Sequence, residues 1–326
     1  GRWNRERDSS FLFLICRDRI REANGLALSS LTGEPSLAPM ARRPLWIWPN
    51  LLSLDAPLVA LVWFWIFKQV WLVKYHQPSL PWFLALTVWC IYVADRLVDS
   101  RGGGVRQETS TLRHRFHHEY RKVLGIALIP GFLGVFFLLS RQPVELISYA
   151  YPVAAPVLLY FLVSYQSKGR GIFWFKNIVA GLAFAFGTTA GVHFHRGSAF
   201  GFPELAISPE VVVFGALCMI NMIAIDHWES TSMGESDAEE KERREFEKGI
   251  LLILLLLVVS VCYLLALRAE DYTLPTHKAF YLSAMVGAGG LAFLTLFRAL
   301  FSASSLRILA DLALLLPAPF FYLFAR

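Results

Sequence analysis

The sequence predicts an all-α membrane protein, a nine-transmembrane-helix bundle, and three observations carry that prediction. Apolar residues make up 56% of the chain and charged residues only 17%, against roughly a quarter charged in ordinary soluble domains. The apolar residues gather into long runs bounded by Pro, Gly or charge, each near the ~20 residues that cross a bilayer as a helix. No alternating strand pattern and no solenoid-length repeat is present, which disfavours a membrane β-barrel. Composition also excludes a disordered chain, a collagen-like repeat and a disulfide scaffold. Cys16, Cys90, Cys218 and Cys262 stand far apart without paired spacing, so they read as small apolar fillers.

The expected spans lie at 51–73, 80–98, 123–140, 143–165, 174–194, 209–228, 249–267, 279–297 and 303–324. The seventh, almost purely aliphatic from Leu251 to Val259, is the clearest and the third the shortest. Gly287 to Gly290 fall inside the eighth span with no preceding strand, so they predict close helix packing and not a dinucleotide turn. With the N-terminus and every second loop on one side, that side carries 23 of the 31 Lys and Arg, and the other side six. The positive-inside rule then puts the N-terminus in the cytoplasm and the C-terminus outside. The expected location is a bacterial inner membrane. Most of the net charge of +6 belongs to this asymmetry, so no nucleic-acid partner is required.

Residues 1–43 form a polar, basic N-terminal segment without signal-peptide layout. Met40-Ala41-Arg42-Arg43-Pro44 reads as a start followed by a basic flank, which predicts a native beginning at Met40 and a membrane domain over 44–326.

A charge within a span costs roughly 2.5–3.5 kcal/mol at its centre, so the exceptions are informative. They are Asp55, Lys68, Asp95, Arg96, Asp226, Arg307 and Asp311, with Asp99, Lys176 and Asn177, Glu229 and Arg298 at span ends. Apart from Lys68, whose stem can snorkel to the opposite surface, all fall near the cytoplasmic ends of the spans. Asp95 and Asp99 are four apart, and Asp226 and Glu229 three apart, so each pair shares a helical face. Repulsion between such neighbours is relieved by a divalent cation with hard oxygen ligands. Mg²⁺ held by one or two carboxylates and substrate phosphate oxygens meets that need. Arg307 stands four residues before Asp311, which suggests an ion pair within the helix.

Two loops flank this level. Gly102-Gly103-Gly104 leads into Arg113-His114-Arg115-Phe116-His117-His118, which lacks the P-loop pattern and reads as a solvated amphipathic stretch. Glu235 to Lys248 reads as an exposed helix with i,i+4 pairs. Trp46, Trp48, Trp63, Trp65 and Trp71, around the first span, suggest interface belts and lipid contact. His193 and His195 are two apart, on different faces, which argues against a shared metal. From the residues alone, a transporter with a cation path remains open, although a relay would need polar groups at mid-depth.

Tyr92-Val93-Ala94-Asp95-Arg96-Leu97-Val98-Asp99 after the second span, Asp226-His227-Trp228-Glu229 after the sixth, and the basic segment Lys168-Gly169-Arg170 leading to Lys176-Asn177 together resemble the UbiA-type intramembrane prenyltransferase superfamily. The resemblance covers about residues 44–324. It implies nine spans around a cytoplasm-facing central cavity, Mg²⁺ as cofactor, and transfer of a prenyl group from an isoprenyl diphosphate to a lipophilic acceptor, aromatic or lipid. It implies Asp95, Asp99, Asp226 and Glu229 as metal ligands, Arg101, Lys168, Arg170 and Lys176 at the diphosphate, and Tyr92, Arg96, Asn177, Asn221 and Arg307 as further substrate-binding residues. Tyr92 and Ile91 stand where the family's first motif carries Asp and Asn, and the second motif is thinned, with Asn221 one turn earlier. Asp55 and Asp311 are additional acids, candidates for orienting the acceptor or taking its proton. A cyclase of the prenyl chain and a non-catalytic prenyl-lipid binder are the alternatives within the same resemblance.

Overall fold

The computed structural model describes residues 48–99, 116–117, 119–166, 173–197, 201–232, 238–271 and 274–325. Among them every regular element is helical: α1 Trp48–Leu51, α2 Asp55–Val70, α3 Leu80–Asp99, α4 Arg121–Leu139, α5 Val144–Gln166, α6 Phe173–Phe194, α7 Phe202–Ile207, α8 Pro209–Ser232, α9 Ala238–Asp271, α10 Pro275–Leu296, α11 Ala303–Leu315 and α12 Pro317–Phe324. The proposed start at Met40 and the segment 1–43 lie outside the described residues.

Among the described residues seven segments are long and apolar enough to cross a membrane: those within α3, α4, α6, α8, α9 and α10, and Ser304–Phe324. The expected spans 51–73 and 143–165 differ from the rest. The first becomes the 16-residue α2, about 24 Å long at 1.5 Å per residue and short of a ~30 Å hydrocarbon core. Ser53 before it and Leu72 after it take left-handed backbone conformations (φ 57° and 53°), which the helical ladder does not accommodate. In α5 the shorter apolar stretch is Val144–Tyr160. The loop expected at 235–248 and the seventh span are one helix from Ala238 onward, 34 residues long, about 51 Å and well beyond bilayer thickness. Its exposed start carries the expected pairs, Arg243–Glu240 at 2.6 Å and Arg243–Glu247 at 3.2 Å. The last span is divided at Leu316 because Pro317 opens α12 and supplies no N–H to the preceding turn.

The central α2 packs against α3, α6, α10, α11 and α12, and α8 against α6, α9, α10 and α11. In lipid the attraction between helices comes from close packing and satisfied polar groups rather than water exclusion. Trp63 of α2 supplies both: it is fully buried, stacks on Phe214 at 4.3 Å, meets Phe280 edge-on and donates its indole N–H to the Leu314 carbonyl at 2.9 Å. The tryptophan expected at a lipid interface is therefore the joint of four helices, whereas Trp65 is 40% exposed as expected. Gly181 allows α6 to approach α8, since a Cβ there would stand 2.7 Å from the Met219 backbone. Gly287 plays the expected packing part, its Cα facing Ala313 and Pro317. Cys90, Cys218 and Cys262 are free and buried. Phe116 and His117 are buried, contrary to the solvated stretch expected there, because Phe116 stacks on Tyr120 and joins a cluster with Leu51, Val93 and Leu124.

Candidate functional site

The start of α2, the end of α3, the start of α6, the end of α8 and the start of α11 meet at one end of the bundle. Asp55, on the first turn of α2, accepts from Asn50 Nδ2 at 2.7 Å and from the Ala56 backbone N–H at 3.0 Å. Asp311 on α11 is an electrostatic neighbour of its carboxyl. Arg96 of α3 has both acids as electrostatic neighbours, and its guanidinium carbon stands 5.9 Å from the Tyr92 ring centroid. Arg96 is only 7% exposed, and its Nη1 has no hydrogen-bond partner among the described residues. Asn221 Oδ1 on α8 is likewise buried without one. Tyr92 faces Asp311, Asp55 and Cys218, and its ring meets Phe184. Asp55, Tyr92 and Asp311 all keep some accessible surface.

A second group adjoins the first through Arg307. The structure pairs Arg307 Nη1 with Glu229 of α8 at 3.0 Å, in place of the pairing with Asp311 expected from the i,i+4 spacing. Asp311 has both Asp55 and Arg307 as electrostatic neighbours. Asp226 has Glu229, Glu247, Arg307 and Lys176 as charged neighbours. Asp95 points elsewhere, accepting from the Tyr160 hydroxyl at 2.6 Å, and the Lys176 ammonium stands 5.2 Å from the Tyr160 ring centroid. Tyr92 and Asp95, one helical turn apart, therefore serve different neighbours. Asn177 is partly buried beside Lys176 at the start of α6.

Of the sequence-predicted site residues, Asp55, Tyr92, Arg96, Arg307 and Asp311 come together, as do Asp226, Glu229 and Lys176. Arg101, Lys168 and Arg170, and the side chain of Asp99, lie outside the described residues. Tyr160, Asn50, His227 and Glu247 were missed. His227 Nδ1 lies 3.5 Å from Glu247 and ties the start of α9 to the end of α8. The signal for Asn50 was its position just before Asp55; Tyr160 carried none, being one aromatic among many in an apolar run.

The donor chemistry bears on Mg²⁺. Among the described residues no three acids, His or Cys gather into a preformed cage. Asp226 and Glu229 nonetheless offer adjacent hard oxygens, and an ion bridged to phosphate needs only one or two carboxylates. The residues therefore fit a substrate-bridged ion better than a resident one.

No protein-family model, curated protein or solved structure matches the chain.

Proposed function

We propose that the chain is an integral membrane prenyltransferase of the UbiA type, with α2 and α5 completing nine membrane segments around a central cavity. It would lie in a bacterial inner membrane with its polar end and N-terminus toward the cytoplasm and its C-terminus outside. The reaction is transfer of a prenyl group from an isoprenyl diphosphate to a lipophilic acceptor. The observation that carries the reading is the meeting of Asp55, Tyr92, Arg96, Asp226, Glu229, Arg307 and Asp311, from four helices, at one end of an otherwise apolar bundle.

Asp226 and Glu229, with Asp95 and Asp99, would hold Mg²⁺, which when bound neutralises charge on the leaving diphosphate. Lys176 and Arg307 are placed beside Asp226, where they favour a phosphate oxygen by charge-assisted hydrogen bonding. Arg101, Lys168 and Arg170, outside the described residues, are the further bases the resemblance assigns to the diphosphate. The aromatic faces of Tyr92 and Phe184, which meet at 6.3 Å, would favour an allylic cation at C1 over attack by water.

The test is incubation of the purified chain with labelled farnesyl and geranylgeranyl diphosphates, Mg²⁺ and a membrane lipid extract. The expected result is Mg²⁺-dependent diphosphate release that Asp226→Ala abolishes. Release independent of Asp226, or no release, defeats the reading. A second reading, binding of a prenyl lipid without turnover, is favoured by the fact that Asp95 and Glu229 already have Tyr160 and Arg307 as partners. Saturable diphosphate binding without release would select it.

A further inference from the structure

Tyr160 of α5 touches an acid on one neighbouring helix and a base on another. Its hydroxyl donates to Asp95 Oδ1 of α3 at 2.6 Å, and its ring carries the Lys176 ammonium of α6 at 5.2 Å from the centroid. All three side chains are partly buried. One aromatic residue thus joins an acid of the first motif to the base that opens α6, and it belongs to neither segment that carries the resemblance.

Interhelical hydroxyl bonds also serve packing alone, and α5 itself carries such a case. Tyr149 stands eleven positions before Tyr160, about three turns and therefore on the same face. Its hydroxyl meets the Gly201 carbonyl and the His193 ring at the far end, outside the candidate site. Tyr160 repeats that hydroxyl three turns away against a carboxylate, and adds a cation on its ring face. A phenylalanine at 160 would seat Lys176 and take this donor from Asp95; a serine would offer a donor and no ring. Tyrosine is the residue type that supplies both.

Resting on the prenyl-transfer reading, we infer that Tyr160 is a positioning residue for the Mg²⁺–diphosphate site, its hydroxyl orienting the Asp95 carboxylate for the ion and its ring holding Lys176 for the phosphate oxygens. Carboxylates that ligate a metal are themselves hydrogen-bonded by donors behind them, and those donors set the ligand's orientation and the site's affinity. A single hydroxyl does not exhaust a carboxylate, which offers roughly four lone-pair positions, so the bond supports metal binding instead of competing with it. The lysine stem is flexible, and the ring face restricts where its ammonium stands. Through Tyr160, α5 acts on the chemistry without contributing a ligand.

Three variants of the full chain in detergent separate these roles: Tyr160→Phe, which keeps the ring and loses the hydroxyl; Tyr160→Leu, which loses both; and Tyr149→Phe, which loses the hydroxyl at the other end of the same face. The probes are inorganic diphosphate and Mn²⁺, a paramagnetic stand-in for Mg²⁺ whose free-ion resonance is lost on binding. With diphosphate present, Tyr160→Phe should weaken Mn²⁺ binding about 10–100-fold and leave metal-free diphosphate binding at the parent value. Tyr160→Leu should weaken Mn²⁺ binding as much and diphosphate binding about two- to fivefold as well. Tyr149→Phe should change neither, whatever it does to the melting temperature. Mn²⁺ binding in Tyr160→Phe equal to the parent's overturns the positioning role, and tighter binding overturns it by marking the hydroxyl as a competitor for Asp95. An equal loss in Tyr149→Phe reduces the bond to packing and overturns it as well. Repeating the titration with a non-hydrolysable isoprenyl diphosphate analogue tests the underlying reading separately. If the parent binds Mn²⁺ and diphosphate through Tyr160 but not the analogue, the prenyl-transfer reading fails and the positioning role stands. If the analogue binds with Mn²⁺ and Tyr160→Phe changes nothing, the positioning role fails and that reading stands; a parent that binds neither defeats both.

Discussion

The two ends of the bundle both bury polar groups, yet they dispose of them differently. At the far end Glu210, at the start of α8, accepts from Ser208 Oγ at 2.5 Å and Tyr281 Oη at 2.8 Å, with His277 Nε2 3.7 Å away. His193 is fully buried and bonds to the Tyr149 hydroxyl. There the protein's own hydroxyl groups fill both oxygens of the buried carboxylate, and the result ties helix to helix. At the polar end Arg96 Nη1 and Asn221 Oδ1 are buried without hydrogen-bond partners among the described residues, as is His277 Nδ1 at the far end, while the acids Asp55 and Asp311 keep accessible surface. Saturated networks rigidify a fold, and incompletely saturated ones are where a ligand completes the chemistry.

That contrast can be broken or sharpened by substitution. The largest effect is expected from Asp226→Asn, which should lower Mg²⁺-dependent diphosphate release by about 10²–10³-fold while leaving the melting temperature near that of the parent. Arg307→Ala removes the ion pair to Glu229, 17% exposed, and should cost about 1–3 kcal/mol in reversible unfolding. Gly181→Ala forces α6 from α8, because its Cβ would meet Met219 backbone atoms at 2.7 Å. We expect about 1–3 kcal/mol of destabilisation and weaker diphosphate binding, since α6 carries Lys176 and α8 carries Asp226.

At the far end Tyr281→Phe removes a donor from buried Glu210 and should cost about 1–3 kcal/mol of stability with turnover of the folded protein unchanged. Lost turnover with stability intact would place function at the wrong end. The smallest effect concerns Glu204 on the short α7. Its carboxyl is held below the usual carboxylate range by its own backbone N–H and that of Gly201. A depressed value stabilises the fold above the unfolded-state value, and that stabilisation is lost as pH falls through the folded-state one. Melting curves should therefore separate Glu204→Gln from the parent at neutral pH and converge in acid.

Much of this division was legible in the sequence, since Asp55, Asp95, Arg96, Asp226, Arg307 and Asp311 are conspicuous where charge is expensive. What it left hidden was pairing. Spacing along α11 suggested Arg307 with Asp311, but a carboxylate on another helix, Glu229, competes for the same guanidinium, and only tertiary packing decides between them. Tyr160 was invisible for a related reason: its hydroxyl matters only because α5 brings it to Asp95. Helix limits at Ser53 and Leu72 were missed because left-handed backbone at non-glycine residues leaves no mark in an apolar run. The role of Trp63 was misread because a tryptophan at a lipid interface and one in a core look alike in sequence.

The most direct test of the account is equilibrium binding of a non-hydrolysable isoprenyl diphosphate analogue to the purified chain, with and without Mg²⁺. The account predicts saturable binding that Mg²⁺ strengthens, that Asp226→Asn and Arg307→Ala weaken, and that Tyr281→Phe leaves unchanged. Binding indifferent to Mg²⁺ and to both polar-end substitutions would contradict it.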